Sequence, residues 1–290
     1  MLRIPVAATV VALSLSIGAA AEPSAKPATR AASQREAKSE AHTAAAIDKA
    51  LAGAHRSDAN RARDQYRHPK ETLLFFGLRP DMTVVEVSPG AGWYSEVIAP
   101  VLAGKGRYIA AHNNPQGSPN AQRQRAAFVD KLKSNPDLYG AAAVTSFGKG
   151  FETNLAAPGS ADMVLTFRNV HNWQMAGFAP EAFRAFYTAL KPGGILGVVD
   201  HRLPEDREET EATRRSGYMK QSEVIRLAEA AGFRLVGSSE VNANPKDTAD
   251  YPKGVWTLPP NFTLGDTDRA KYAAIGESDR MTLKFVKPAN

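Results

Sequence analysis

The chain has 290 residues, 43% hydrophobic and 23% charged, enough apolar material for one sizeable core with extensions. Its 36 Lys and Arg against 30 Asp and Glu leave a formal charge of +6, with the two signs interleaved and no basic stripe of the kind that tracks nucleic acid. Cysteine is absent, which excludes a disulfide framework, a zinc–thiolate site, a cysteine nucleophile and a lipid-anchored cysteine.

The first residues carry the pattern of an export leader. Arg3 is followed by an apolar run from Ile4 to Ile17 and by Gly18-Ala-Ala-Ala21 before Glu22. This predicts a secretory signal peptide over 1–21, cleaved after Ala21, and hence an exported, periplasmic protein. The alternative is an uncleaved anchor, which the short apolar run disfavours. No twin-arginine pair is present. Residues 22–45, rich in Ala, Ser, Lys and Glu with Pro23 and Pro27, read as a flexible N-terminus ahead of one domain over 46–290. The domain opens on a charged helical stretch from Ala44 to Tyr66, punctuated by Pro69, and a short amphipathic helix from Lys70 to Leu78.

Strands and helices then alternate. Apolar, β-branched runs predict strands at Thr83–Ser88, Arg107–His112, Val144–Phe147, Asp162–Phe167 and Ile195–Val199, then at Phe233–Val241 and Met281–Val286. Helices are expected at Tyr94–Leu102, Asn120–Lys133, Pro180–Leu190 and Ser222–Ala231, the last with Ser222 as its N-cap and Gly232 as its stop. This alternation implies a mostly parallel sheet covered on both faces, with ligands beyond the carboxyl ends of the strands. The irregular, Pro-rich stretch from Asn242 to Gly276 is a candidate flap over that end.

After the first strand comes VVEVSPGAGWYSEV, Val84 to Val97. Gly90 and Gly92 allow a sharp turn and a close backbone approach to a ligand, at the N-terminus of the next helix. Alone, such a turn is as readily a structural feature of any α/β protein. The segment resembles the first motif of class I S-adenosylmethionine-dependent methyltransferases. Glu86 stands at the acidic position, and Ser88, Gly90 and Gly92 at the three glycine positions, the first substituted. Two more segments are similar to that family: ADMVLTFRNVHNW (Ala161–Trp173) and LKPGGILGVVD (Leu190–Asp200). The likeness runs from about Arg61 to Pro288. It is strongest to a group of exported bacterial predicted methyltransferases with SPGAGWY- and RNVHNW-like segments. The resemblance implies a Rossmann-like methyltransferase fold: a seven-stranded, mostly parallel sheet with an antiparallel last strand and helices on both faces. It also implies S-adenosylmethionine as cofactor, with Glu86, Ser88, Gly90, Gly92, Trp93, His112, Asn113, Arg168 and Asn169 around it.

Two positions depart from that pattern. The second strand of the family usually ends in an acid that bonds the ribose hydroxyls, where this chain has His112, Asn113 and Asn114. Glu152 is the nearest candidate for the acid after the third strand. A nicotinamide fingerprint would need a glycine where Ser95 stands, which argues against an oxidoreductase.

Methyl transfer asks the protein mainly to position its reactants, with a base only where the acceptor loses a proton. His171 is the candidate base, beside Asn169, Asn172 and Trp173; a loop histidine bonding backbone is the plainer reading. Asp200 and His201, at the end of the fifth strand, are the other candidate catalytic groups, against ordinary strand-end capping. Trp93 and Trp173 either face the sulfonium or a cationic substrate, or more plainly wall a pocket or pack in the core, the pocket wall being preferred for Trp173. Arg61, Arg63, Asp64, Arg67 and His68 either close over the ligand or form a solvated, ion-paired helix. No metal is expected, since His171, Asp200 and His201 show no ligand spacing. The expected partner is a small-molecule or envelope acceptor. The alternative is a non-catalytic exported binding protein on the same fold.

Overall fold

The computed structural model describes residues 27–151 and 155–289. The leader pattern and Glu152 lie outside the described residues. The chain divides into two units, Met1–Lys38 and Ser39–Asn290. The first contributes the start of a helix that runs Pro27–Ala52. The architecture below is that of the second.

The described residues form eight strands: β1 Thr83–Val87, β2 Arg107–His112, β3 Ala143–Ser146, β4 Ala161–Phe167, β5 Leu190–Leu203, β6 Met219–Lys220, β7 Arg234–Ser239 and β8 Arg280–Val286. Their order across the sheet is β3-β2-β1-β4-β5-β8-β7, with β6 paired to β5. All pairings are parallel except those of β8, which runs antiparallel to both β5 and β7. This is the expected mostly parallel sheet with an antiparallel last strand. The order reverses between β1 and β4, so the crevice at their carboxyl ends is the natural ligand position.

The pleat sends alternate residues into two cores. Val85, Val87, Val164, Leu196 and Val198 pack against the helices Ala179–Ala189 and Gln221–Ala230. Val84, Met163, Leu165 and Val199 face the other way, against the helices Pro69–Phe76, Ser95–Leu102 and Pro119–Ser134. Glu86 shares the second face with Val84, beneath the helix that follows the glycine turn.

Several boundaries differ from the sequence reading. The segment read as flexible to residue 45 is helical from Pro27, as its Ala, Lys, Glu, Gln and Arg content favours. The stretch from Ala44 to Tyr66 is not one helix. It breaks after Ala52, and Ser57 caps a new turn, Asp58–Arg61, by accepting from the Asn60 N–H; a third follows at Asp64–Arg67. The last helix before β7 starts at Gln221. Ser222 is not its cap, because its hydroxyl and its N–H both donate to Glu205. β5 begins five residues early, since Gly193 and Gly194 pair with Lys287 instead of ending a turn. Val170–Met175, read as a loop, is a short helix.

Candidate functional site

The turn after β1 opens a cavity of about 700 Å³ of empty space. Val87, Ser88, Pro89, Gly90, Phe167 and Asn169 line one side, and Asn60, Arg63, Arg67 and Trp93 the other. Gly90 has φ +59°, and a Cβ built on it would meet nothing within 4 Å, so only glycine keeps this wall both unstrained and open. Gly92 serves packing instead: φ is +83° and a Cβ would lie 2.9 Å from Phe128. Ser88 holds the turn at φ +52° without a glycine. Asn169, at the end of β4, donates to the carbonyls of Val87 (3.2 Å) and Phe167 (3.2 Å) and so locks the two strand ends together. It braces the cavity wall.

Glu86 is buried. Its Oε2 accepts from Ser95 Oγ (2.8 Å) and Tyr108 Oη (2.6 Å). Burial pushes its carboxyl up to about 7, against the pull of those two hydrogen bonds and Lys131. The acid ties β1, β2 and the following helix together beneath the turn.

His112 does not take the place of a ribose-binding acid. It is 1% exposed, its Nε2 is 3.0 Å from the Gly90 carbonyl, and its Nδ1 accepts from the Asn113 N–H at 2.7 Å. Both ring nitrogens are committed, which fixes the Nε2–H tautomer and leaves nothing for a hydroxyl. Burial lowers its pKa, the Gly90 carbonyl raises it and Arg125 lowers it further, so the ring is held neutral. Asn113 turns outward, its side chain donating to Gln124 Oε1.

Beyond β4 and β5 lies a second cavity, about 540 Å³ of empty space, lined among others by Arg168, His171, Asn172, His201, Trp256 and Glu277. Val255 to Asn261 of the Pro-rich stretch form its outer wall, as expected of a flap. His171 Nδ1 lies 2.8 Å from Asp200 Oδ1, and its backbone N–H donates to Asp200 Oδ2 at 3.0 Å. With Nδ1–H donating to the carboxylate, Nε2 carries the lone pair. That is the arrangement of a base whose tautomer is set by a buried acid. His201 sits beside it, ring centroids 5.1 Å apart, with Nδ1 against Ser278 Oγ. Burial, His171 and the nearby guanidiniums of Arg168, Arg280 and Arg67 hold His201 well below its ordinary pKa.

His171, Asp200 and His201 bring ligand atoms within 4.8 Å of one another, a convergence their sequence spacing did not show. Both Asp200 oxygens already accept, from His171 and the His201 N–H. The guanidiniums around them also oppose a cation, so the trio suits proton transfer better than metal binding.

Between the two cavities stands a cluster that the sequence reading only half contained. Glu277 accepts from Arg63 Nε (2.5 Å) and Arg67 Nε (3.2 Å), and Arg280 Nη2 lies 3.1 Å away. Burial raises the Glu277 carboxyl, but Arg280, Arg67 and Arg63 together pull it down to about 2. Arg168 lines both cavities and holds a left-handed backbone at φ +63°. Burial lowers its guanidinium to about 10, Glu277 opposing and Arg280 and Arg63 adding to the effect. Glu277, Ser278 and Arg280 were missed. The only signal was a charged residue, Arg280, at the head of a mostly apolar strand.

The basic arm before the domain is not a solvated helix. Arg67 is 1% exposed, and Arg56, 2% exposed, grips Asp64 with two 2.7 Å hydrogen bonds. Arg67 and Arg56 lie over the Trp93 ring at 4.5 and 5.2 Å, and the indole N–H donates to the Asn60 carbonyl. Trp93 therefore anchors the arm to the cavity wall, its ring engaged by the two arginines while it lines the cavity. Arg61 and His68 stay outside the cavity, Arg61 donating to the Gly53 carbonyl. Trp173 is no pocket wall either: it packs in the core on Phe147, Phe178 and Phe186.

No family model matches this sequence, and no curated protein matches it. The fold does match solved structures. One is a SAM dependent methyltransferase from Aquifex aeolicus, 16% identical, covering 78% of this chain and 93% of that one with a TM-score of 0.53. Another is the [4+2]-cyclase SpnF, 16% identical, covering 82% and 86% at 0.56. A third is phosphoethanolamine N-methyltransferase 2 of Haemonchus contortus in complex with S-adenosyl-L-methionine, 15% identical, covering 77% and 53% at 0.51. The chain has the Rossmann-like methyltransferase fold. One such neighbour is a cyclase, so the fold by itself selects no reaction. Among the described residues no helix is long and apolar enough to cross a membrane.

Proposed function

We propose that this protein transfers a methyl group from S-adenosylmethionine to an acceptor lying in the cavity beyond β4 and β5. The observation that carries the reading is the adjacency of two cavities that share Arg168: an open glycine turn on one side, and the His171–Asp200 pair on the other. The glycine-turn cavity fits the cofactor, because Gly90 leaves its wall free of any side chain. Gly90, Ser88 and Asn169 would hold the cofactor at the turn, with Arg63 and Arg67 closing over it from the arm. When bound, the sulfonium supplies an electrophilic methyl carbon. His171 Nε2 would receive the acceptor's proton as the acceptor's lone pair bonds the methyl carbon and the carbon–sulfur bond breaks with its electron pair left on sulfur, and Asp200 would stabilise the imidazolium. The flap Val255–Asn261 excludes water from that side.

Ribose recognition in this chain does not rest on a carboxylate at the end of β2, because His112 is spent on the turn. The test is calorimetric titration of the folded protein with S-adenosylmethionine and S-adenosylhomocysteine. Micromolar binding of either is expected; a folded protein that binds neither at millimolar ligand removes the methyl-transfer reading. Export is part of the proposal, supported by the leader pattern ending at Ala21. N-terminal sequencing should find the mature protein beginning at Glu22.

A further inference from the structure

The junction of the two cavities carries more positive charge than its partners balance. Four guanidiniums, Arg63, Arg67, Arg168 and Arg280, gather around one carboxylate, Glu277. Asp200, the next acid, is spent on His171 and the His201 N–H. Three of the guanidiniums keep a buried nitrogen that bonds no described residue: Arg63 Nη2, Arg67 Nη2 and Arg168 Nε. Buried donors normally find acceptors, and a buried excess of like charge is costly. Arg168 also holds an unfavourable left-handed backbone at φ +63°, the kind of strain that recurs where a side chain must be aimed.

We propose that the cavity beyond β4 and β5 takes an oxyanion, a carboxylate or a phosphate, received by Arg168. Resting on the methyl-transfer reading above, that oxyanion belongs to the methyl acceptor. Arg168 is the member of the cluster that faces both cavities, whereas Arg63 and Arg67 face the glycine turn. An anion against Arg168 therefore lies on the side where His171 Nε2 waits for a proton. Glu277 lines the same cavity, so it competes with the ligand for the guanidiniums. The planar guanidinium fork suits both carboxylate and phosphate geometry.

The experiment titrates the full chain, loaded with S-adenosylhomocysteine, with inorganic phosphate and separately with acetate, following heat. Saturable binding of at least one is expected. A preference for phosphate assigns a tetrahedral ligand, and a preference for acetate a planar one. Arg168→Asn, which tolerates the left-handed backbone, should weaken that binding about tenfold to a hundredfold, the weight of a charge-assisted hydrogen bond. Arg168→Lys should restore part of it, and Glu277→Gln should strengthen it. S-adenosylhomocysteine should still bind Arg168→Asn, because Arg63, Arg67 and the glycine turn line that cavity without it. A folded wild type that binds neither anion overturns the proposal, as does anion binding indifferent to Arg168→Asn. Loss of S-adenosylhomocysteine binding in that variant, with anion binding kept, assigns Arg168 to the cofactor and overturns it too. Anion binding through Arg168 in a chain that never binds S-adenosylhomocysteine upholds the oxyanion site while the methyl-transfer reading fails.

Discussion

Among the described residues Glu277 is the one carboxylate in contact with the arginines of the junction, and replacing it with glutamine tests the electrostatic account directly. Its carboxyl lies at about 2 in place of the ordinary 4.5, with only 3% of the residue exposed. A carboxylate held below its unfolded value contributes stability that is present above 4.5 and is lost as pH falls through about 2. The difference, at about 1.4 kcal/mol per tenfold, amounts to about 3 kcal/mol. Glu277→Gln forfeits this and leaves Arg63, Arg67 and Arg280 without their counter-charge, a kind of loss that costs about 3–5 kcal/mol in buried pairs. Urea denaturation followed by circular dichroism measures both terms. The gap between wild type and variant should be about 3–5 kcal/mol near neutral pH and close steadily below about pH 4, because protonation then removes the same charge from the wild type. Other carboxylates titrate in both proteins and cancel in the difference. A gap under about 1 kcal/mol at neutral pH, or one that does not change with pH, would refute the reasoning.

The glycine turn separates binding from folding. Gly90→Val should stay folded, at a cost of about 1–2 kcal/mol for the left-handed backbone, yet lose S-adenosylhomocysteine binding in calorimetry. Gly92→Ala should bind if folded but melt lower, since its Cβ presses on Phe128. Once an acceptor is known, His171→Ala should lower kcat by about a hundredfold or more with cofactor binding intact, and Asp200→Asn should follow it; unchanged kcat in both removes the base assignment. Glu86 titrates in the opposite sense to Glu277. Its carboxyl is raised to about 7, so stability is greatest below 4.5 and declines as pH rises through about 7. Glu86→Gln should therefore be the more stable protein in alkaline urea titrations, and a less stable variant would count against the buried, proton-favouring environment.

The sheet was legible because its strands are buried on both faces. Thr83–Val87 and Ala161–Phe167 read as short apolar runs between turns, which is what burial in a parallel sheet demands. Met219–Lys220 and Val170–Met175 were not, being shorter than any periodicity can register. Trp173 was misplaced for a related reason. On a helix, residues two apart face opposite ways, so a tryptophan two positions after His171 turns into the core when His171 turns to the cavity. Within the site, Glu86 and Gly90 carried their signal locally, in spacing. The junction did not, because Arg63 and Arg67 meet Glu277 across 214 and 210 residues of chain, and nothing in a single sequence pairs such positions.

The same junction constrains how ligands influence each other. S-adenosylmethionine carries one more positive charge than S-adenosylhomocysteine, and the cavity proposed for both shares Arg63, Arg67 and Arg168 with the cluster. Family members that end the second strand in an acid place a negative charge near the cofactor; here that position is His112, held neutral and committed to the turn. On the methyl-transfer reading, a bound cationic cofactor would therefore meet an electropositive wall that its product would meet with less penalty. An oxyanion bound at Arg168 offsets that wall, and by linkage whatever the anion gives the cofactor, the cofactor returns to the anion. The affinity ratio of S-adenosylmethionine to S-adenosylhomocysteine should thus rise when phosphate or acetate is added, and rise less in Arg168→Asn. Such coupling would favour filling the reactive cofactor's site when an acceptor is in place and release of the neutral-sulfur product afterwards. A ratio indifferent to added anion would show that the two cavities do not communicate through Arg168.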